Sequence, residues 1–244
     1  MRLEEWAAAD RDLRALLGLG VPPIAIAFAA SAPPDVAPLA GAKPAATPDG
    51  RTGAVPAGCV FWIKATERSF ATTAADHGNC SVGSLTHGFK SFAEAAAGSD
   101  VAALLAAEWV TAEAAAAIPT VKAKPGAVLY GPLSEAAFAP DVVFLRLTGK
   151  QLMLVNDAWP ELRFEGKPQC HIIPIAKEEG AVAVSSGCML SRVRTGMSNN
   201  EVTCALPAAK LGELLARLRK AQAADLKVAA YAAEDAKRFA GASV

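Results

Sequence analysis

The chain has 244 residues, of which 52% are apolar and 20% are charged, and its 24 basic residues balance 24 acidic ones. A chain of this size and composition can bury a full hydrophobic core, which is typical of an ordinary globular protein. Because the net charge is zero and the basic residues are scattered, we expect no nucleic acid as a partner.

The first residues and the cysteine count predict a cytoplasmic protein. Glu4 and Glu5 stand where a signal peptide carries basic residues, and no apolar run approaches the roughly 18 residues that a membrane span needs. We therefore expect no membrane as a partner. Five cysteines in a reducing compartment do not form a disulfide framework, and their odd number argues further against one. Metal binding, catalysis and burial remain open for them.

The first half of the chain predicts one helix, a strand and a long loop. Apolar residues at helical spacing predict a helix over residues 3–19, and the apolar run after Pro22 and Pro23 predicts a buried strand over 21–28. Residues 30–56 contain six prolines and no periodicity, which predicts a flexible, proline-rich surface loop. After the loop we expect a short apolar element at 59–67, a strand at 69–73 and a helix at about 84–97.

The second half predicts alternating strands and helices. Two alanine-rich stretches, 101–109 and 111–117, predict a helical arm over about 100–118, which would also suit a homodimer. Strands are predicted at 128–131, 142–147, 181–184 and 202–206, and helices at 149–158, 207–221 and 229–239. Together these elements predict an α+β (mixed α/β) fold: a single two-lobed domain over residues 1–244, with a mixed β-sheet flanked by helices.

Four of the five cysteines lie in contexts that predict turns or the ends of elements. Cys59 and Cys188 each follow a glycine, Cys80 follows a glycine and an asparagine, and Cys170 lies two residues after a proline. Metal ligands often occupy such positions, but none of these cysteines has the CxxC spacing of a zinc ribbon or a ferredoxin. Free cysteine is also among the most buried residue types, so the residues alone leave metal binding, thiol chemistry and burial open.

Longer stretches around the cysteines resemble a known family. They are VSSGCMLSRVRTG at 184–196, NEV at 200–202, ALP at 205–207, PPIAI at 22–26, DHGNC at 76–80 and PQC at 168–170. In this order they resemble the uncharacterised archaeal cysteine-rich family, domain of unknown function 169. The resemblance spans nearly the whole chain and implies that Cys59, Cys80, Cys170 and Cys188 belong together. Cys204 falls outside the pattern and is expected in the core. The alanine-rich arm is not among the family's marks.

With that pattern, the leading interpretation is a metal centre held by the four cysteine thiolates. Dispersed cysteines favour an iron–sulfur cluster of the 4Fe–4S type over the alternative, zinc, because compact zinc sites use close cysteine pairs. His77, three residues before Cys80, is a candidate ligand or a hydrogen-bond partner of a cluster sulfur. His171 could share a metal with Cys170 only if the backbone turns between them. His87 is expected to be an ordinary, partly exposed histidine.

Arg192 and Arg194 are the candidates for binding a small anionic molecule. On an extended stretch they would share one face, and guanidinium groups suit carboxylate or phosphate, although an ion pair with Glu201 or another acid is equally compatible. The chain has no HExxH motif, no GxSxG elbow and no phosphate-binding glycine loop, so zinc proteolysis, serine hydrolysis and nucleotide hydrolysis have no support.

The sequence therefore predicts a cytoplasmic metal- or iron–sulfur-binding protein that acts on or senses a small anionic ligand. The alternatives are a metal-free ligand-binding or regulatory module with structural cysteines, and a thiol-dependent enzyme. The pattern does not decide whether the protein is an enzyme.

Overall fold

The computed structural model of the chain describes residues 3–39 and 55–240. Within the predicted loop at 30–56, residues 40–54 lie outside the described residues. The segment before this gap is joined to the sheet, because Pro38 forms a parallel β-bridge with Ala71.

The described residues form ten α-helices and seven strands. The helices are α1 (Leu3–Leu17), α2 (Val60–Lys64), α3 (Ser81–Thr86), α4 (Phe92–Ala96), α5 (Ser99–Ala106), α6 (Ala112–Ala116), α7 (Gly149–Ala158), α8 (Ile172–Pro174), α9 (Met189–Thr195) and α10 (Leu211–Ala236). The strands are β1 (Ile24–Ala29), β2 (Phe70–Thr72), β3 (Ala127–Pro132), β4 (Val142–Leu147), β5 (Arg163–Glu165), β6 (Ala183–Ser185) and β7 (Val202–Pro207). A 3₁₀ turn, Gln169–His171, precedes α8, and a π-helical turn, Ile175–Glu179, continues it.

The seven strands form one sheet in the order β2-β3-β1-β4-β7-β6-β5. Neighbouring strands are antiparallel, except for β5 and β6, which are parallel. The sheet is therefore mixed, and helices flank it. This arrangement confirms the α+β class predicted from the sequence, whereas the division of the chain into lobes stays a prediction.

Strand residues alternate between two hydrophobic clusters, as the two-residue period of a β-strand requires. In β4, Val143 and Leu145 belong to a cluster that also contains residues of α1, α7 and α10. Val142 and Phe144 belong to a second cluster, which contains residues of α2 and α8. Cys204 of β7 is fully buried in the first cluster, as expected of a core residue.

The second cluster lies beside the cysteines that the family pattern singles out. Cys59 and Cys170 pack against it from the starts of α2 and α8. A smaller cluster, formed by α3, α4 and α5, contains Cys80 and also contacts Cys170. Cys59 and Cys170 therefore pack against the opposite hydrophobic cluster of the sheet from the one that holds Cys204.

Several elements differ from the sequence predictions. The helix predicted at 84–97 is interrupted, because Gly88 adopts a left-handed conformation (φ +78°) and Ser91 caps a new helix, α4. The helices predicted at 207–221 and 229–239 are largely one continuous helix, α10. Strand β5 and helix α8 were not predicted. The alanine-rich stretches form α5 and α6, and α5 packs against α3 through Val101.

None of the helices within residues 3–39 and 55–240 combines the length and the apolar character needed to cross a membrane.

Candidate functional site

One small cavity brings together the four cysteines of the family pattern. It encloses about 30 Å³, which is room for about two water-sized groups. Cys59, Cys80, Cys170 and Cys188 all line it. The remaining lining residues are Ala57, Gly58, Trp62, Val82, Gly83, His87, Pro168, Gln169, Leu190 and Ser191. Four separate segments of the sequence therefore contribute a cysteine to the same cavity.

Each cysteine reaches the cavity from the start of a helical segment. Cys59 is the residue before α2, Cys80 the residue before α3 and Cys188 the residue before α9. Cys170 lies in the 3₁₀ turn that leads into α8. The first backbone N–H groups of a helix have no partner within the helix, so they are available to a neighbouring sulfur.

Hydrogen-bond donors face all four sulfur atoms. The backbone N–H of Gly83 donates to Cys80 Sγ at 3.3 Å, and the N–H of Gly58 faces the same sulfur. The N–H groups of Leu190 and Ser191 face Cys188. The side-chain hydroxyls of Ser191 and Thr86 face Cys59 and Cys170, respectively. Such donors stabilise a thiolate more than a thiol.

Without a bound cation, however, the four thiols are neutral. Burial raises the pKa of Cys59 to about 12 and raises the pKa values of Cys80, Cys170 and Cys188 above their usual range. The thiols also raise one another's pKa, because negative charges on neighbouring sulfurs repel. Several thiolates would form here only together with positive charge, such as a bound metal ion supplies.

A buried ion pair lies next to two of the cysteines. Arg194 of α9 binds Asp100 of α5 in a bidentate geometry, with N–O distances of 2.7 and 3.1 Å. The Asp100 side chain is only 3% exposed. Asp100 contributes to the raised pKa of Cys80 and Cys188, and Arg194 counteracts it at Cys188. Both charges therefore act directly on the thiols.

His87 was expected to be partly exposed, and that prediction is wrong. It is 3% exposed and lines the cavity. Its Nδ1 lies 2.9 Å from the carbonyl oxygen of Gly83, so Nδ1 carries the proton and donates. Nε2 then accepts a hydrogen bond from the Tyr130 hydroxyl at 3.2 Å. Burial lowers the pKa of His87 to about 4, so the ring is neutral at pH 7.

His77 lies behind the cysteine loops and does not line the cavity. Thr72 donates its hydroxyl proton to the Val128 carbonyl, so His77 Nε2, at 3.1 Å, donates to Thr72 Oγ1. The unprotonated Nδ1 is buried and has no hydrogen-bond partner among the described residues. A Cβ atom on Gly58 would lie 3.6 Å from it. His77 thus presents a free lone pair beside the loop that carries Cys59.

Arg192 and Arg194 do not share an extended face, because the residues after Cys188 form α9. Two positions apart on a helix, their side chains point in different directions. Arg192 donates to the backbone carbonyls of Ser186, Ser198 and Glu201, whereas Arg194 binds Asp100. Both guanidinium groups have protein partners, and anion binding by them stays a prediction.

The comparison with family models agrees with the cysteine pattern. The model of domain of unknown function 169, described as uncharacterised ArCR, matches residues 12–217. The chain belongs to this family. Comparisons with curated proteins and with solved structures give no match. The match to the ArCR family includes all four cysteines of the cavity and the segment of α5 that carries Asp100.

The structure adds residues to the ArCR pattern that sequence reasoning missed. Asp100 gave no local signal, because its partner Arg194 is 94 positions away. Ser191 lies in the signature after Cys188, yet its contact with Cys59 is created only by the fold.

His171 is buried, and its Nε2 lies 4.0 Å from Glu165. In the part of the chain that the structure describes, no three histidine, cysteine or acidic side chains are grouped so that they could hold a metal ion.

Proposed function

We propose that this ArCR protein is an iron–sulfur protein whose four cavity cysteines, Cys59, Cys80, Cys170 and Cys188, are the ligands of one cluster. The observation that carries the proposal is their common cavity. Four separate segments each contribute a cysteine to its lining, which supports a shared role for the thiols. Cys204, the fifth cysteine, lies in the other hydrophobic cluster of the sheet and serves as the internal reference.

The side chains around the cavity fit a thiolate-bound cluster. The donor set is purely sulfur, which suits iron–sulfur clusters, and hydrogen bonds to the sulfurs are among the features that set cluster potentials. In a four-iron cluster each thiolate binds its own iron, so the four sulfur atoms need not converge on one point as they do around zinc. The enclosed volume of about 30 Å³ is small, so a cluster would also replace packing contacts among the lining side chains.

The residues around the cavity would have distinct tasks. The cysteines hold the centre, the amides of Gly58 and Gly83 stabilise the Cys80 thiolate, and Trp62 and Leu190 keep water away. When bound, a cluster supplies one-electron chemistry. With four cysteine ligands its coordination is complete, which favours electron transfer or a structural role over direct binding of a substrate.

Alanine substitutions test the ligand set. Each of four single variants should retain at least about tenfold less iron than the wild type in competition with a chelator: Cys59→Ala, Cys80→Ala, Cys170→Ala and Cys188→Ala. Removing a residue that only hydrogen-bonds a metal ligand already lowers metal affinity by about tenfold or more, and removing the ligand itself should lower it at least as much. The matched control is Cys204→Ala. It should retain iron like the wild type and lose only about 1 kcal/mol of stability, as expected for one small core truncation.

Iron bound equally by all five variants would contradict the proposed ligand set. Zinc in the wild type, lost in the same four variants, would keep the cysteines as ligands but replace the cluster by zinc. If the four variants bind no metal at all, like the wild type, and differ only in stability, the cysteines are structural.

A further inference from the structure

The ion pair between Asp100 and Arg194 connects two helices near the cavity, α5 and α9. Arg194 is on α9, which begins after Cys188, and Asp100 is on α5. The next residue, Val101, donates its backbone N–H to Ser81 Oγ at 3.1 Å, and Ser81 follows Cys80. A continuous set of contacts therefore runs from the Cys188 helix through α5 to the Cys80 helix.

This pair is also largely buried. The side chains of Asp100 and Arg194 are 3% and 22% exposed. Removing both charges from water is costly unless the geometry is good, and a bidentate arginine–carboxylate pair provides such geometry. A pair kept only to attach α5 would need neither charge, because Val101 of α5 already lies in one hydrophobic cluster with Val82 and Leu85 of α3.

We infer that Asp100 and Arg194 form a positioning and charge-setting element of the cysteine site: the pair fixes the Cys80 helix against the Cys188 helix, and its two charges act in opposite directions on the electron affinity of the bound centre. The inference rests on the proposed function and adds the regulation of that site. It also gives a role to α5, part of the alanine-rich segment. Neither residue is a proposed ligand of the bound centre, so both are positioning residues.

The opposite signs follow from the charges. A positive charge near a redox centre favours its reduction, and a negative charge opposes it. Removing the charge of Arg194 should therefore make reduction harder, and removing that of Asp100 should make it easier. Removing both should leave the potential near that of the wild type, because the pair as a whole is neutral.

The test is the reduction potential of the purified, iron-loaded full chain, measured by anaerobic redox titration. Arg194→Gln should lower the equilibrium constant for one-electron reduction at least about tenfold, a shift of about 59 mV to lower potential. Asp100→Asn should shift the potential by a similar amount in the opposite direction, and the double variant should lie between them. Arg146→Gln is the matched control: it breaks the bidentate pair with Glu201, and neither residue lines the cavity, so the potential should not move.

Each outcome is decisive. If the wild type loads no iron, the proposed function is wrong and this inference is wrong with it. If the wild type and variants load iron equally, but the two single variants shift the potential in the same direction or not at all, only the inference is wrong. If Arg194→Gln does not fold, Arg194→Lys keeps the charge and should leave the potential near the wild-type value, while Asp100→Asn alone must still raise it.

Discussion

At the scale of single residues, burial and hydrogen-bond donors act in opposite directions on the pKa values of the cavity cysteines. Burial raises their pKa values, while backbone and hydroxyl donors around the same sulfurs lower them. The donors alone do not overcome burial, so the thiols stay neutral unless a positive charge lies beside them. Cys204 is the contrast: burial raises its pKa to about 12.

His87 makes the free energy of unfolding of the metal-free protein depend on pH. Its pKa is about 4 in the folded chain and about 6.5 when unfolded. Below pH 6.5 the unfolded chain takes up a proton that the folded chain does not, so stability is lost as pH falls from 6.5 to 4. In His87→Gln, the decrease in the free energy of unfolding between pH 6.5 and pH 4 should be smaller than in the wild type by about 3 kcal/mol. The measurement is the urea unfolding free energy at pH 4 to 7.

Tyr130→Phe is the control for His87, because it removes the hydrogen bond to Nε2 but keeps the titrating ring. It should cost about 1–3 kcal/mol at pH 7, since His87 is left with a buried unpaired acceptor. The dependence on pH should remain. An unchanged slope in His87→Gln would show that this ring is not responsible.

The sequence could predict which cysteines lie together, but not which side chains surround them. The family resemblance separated Cys204 from the other four, and its place in the core confirms that expectation. Asp100 and His87 carried no signal, because each acts through a contact that only the folded chain creates. The arginine side chains were predicted on an extended segment, since the strand pattern before Cys188 gave no warning that Gly187, at φ +118°, would redirect the chain into a helix.

At the scale of elements, Gly88 ends the helix that carries Cys80 at its start. Its φ is +78°, and a Cβ atom there would lie 2.7 Å from the carbonyl oxygen of Val121. Val121 in turn donates its N–H to the Thr86 carbonyl, so the two segments are fixed together. Gly88→Ala should therefore destabilise the protein by about 1–3 kcal/mol and weaken iron retention by displacing α3.

Gly212→Ala is the matched control for this prediction. Gly212 lies in α10, and nothing is within 4 Å of the position of its Cβ. The substitution should be neutral or stabilise the protein by up to about 1 kcal/mol, because alanine loses less backbone entropy in a helix. Equal urea midpoints for the two variants would refute the role given to Gly88.

Regular elements with strong periodicity were predictable, and those that depend on neighbours were not. Helix α7 has the predicted bounds, and β3, β4 and β7 differ from theirs by at most two residues. The Ser91-x-x-Glu94 capping box was a readable signal that a new helix begins after Gly88. Strand β5, by contrast, is three residues long and, among residues 3–39 and 55–240, pairs with β6 alone, and α8 contains a proline. Neither has a local pattern of its own.

At the scale of the whole molecule, the sheet separates two hydrophobic clusters. Helices α1, α7 and α10 pack on one side, and the cysteine-bearing segments at α2 and α8 pack on the other. The four cavity cysteines come from segments spread over about 130 residues, from Cys59 to Cys188. Only the closed fold brings them to one cavity.

The measurement that tests the central claim most directly is the iron and acid-labile sulfide content of the anaerobically purified full chain, together with its visible absorption. A cluster held by Cys59, Cys80, Cys170 and Cys188 predicts a coloured protein with about four iron and four sulfide per chain. A colourless protein that contains neither iron nor labile sulfide, even after reconstitution with both, would contradict the account.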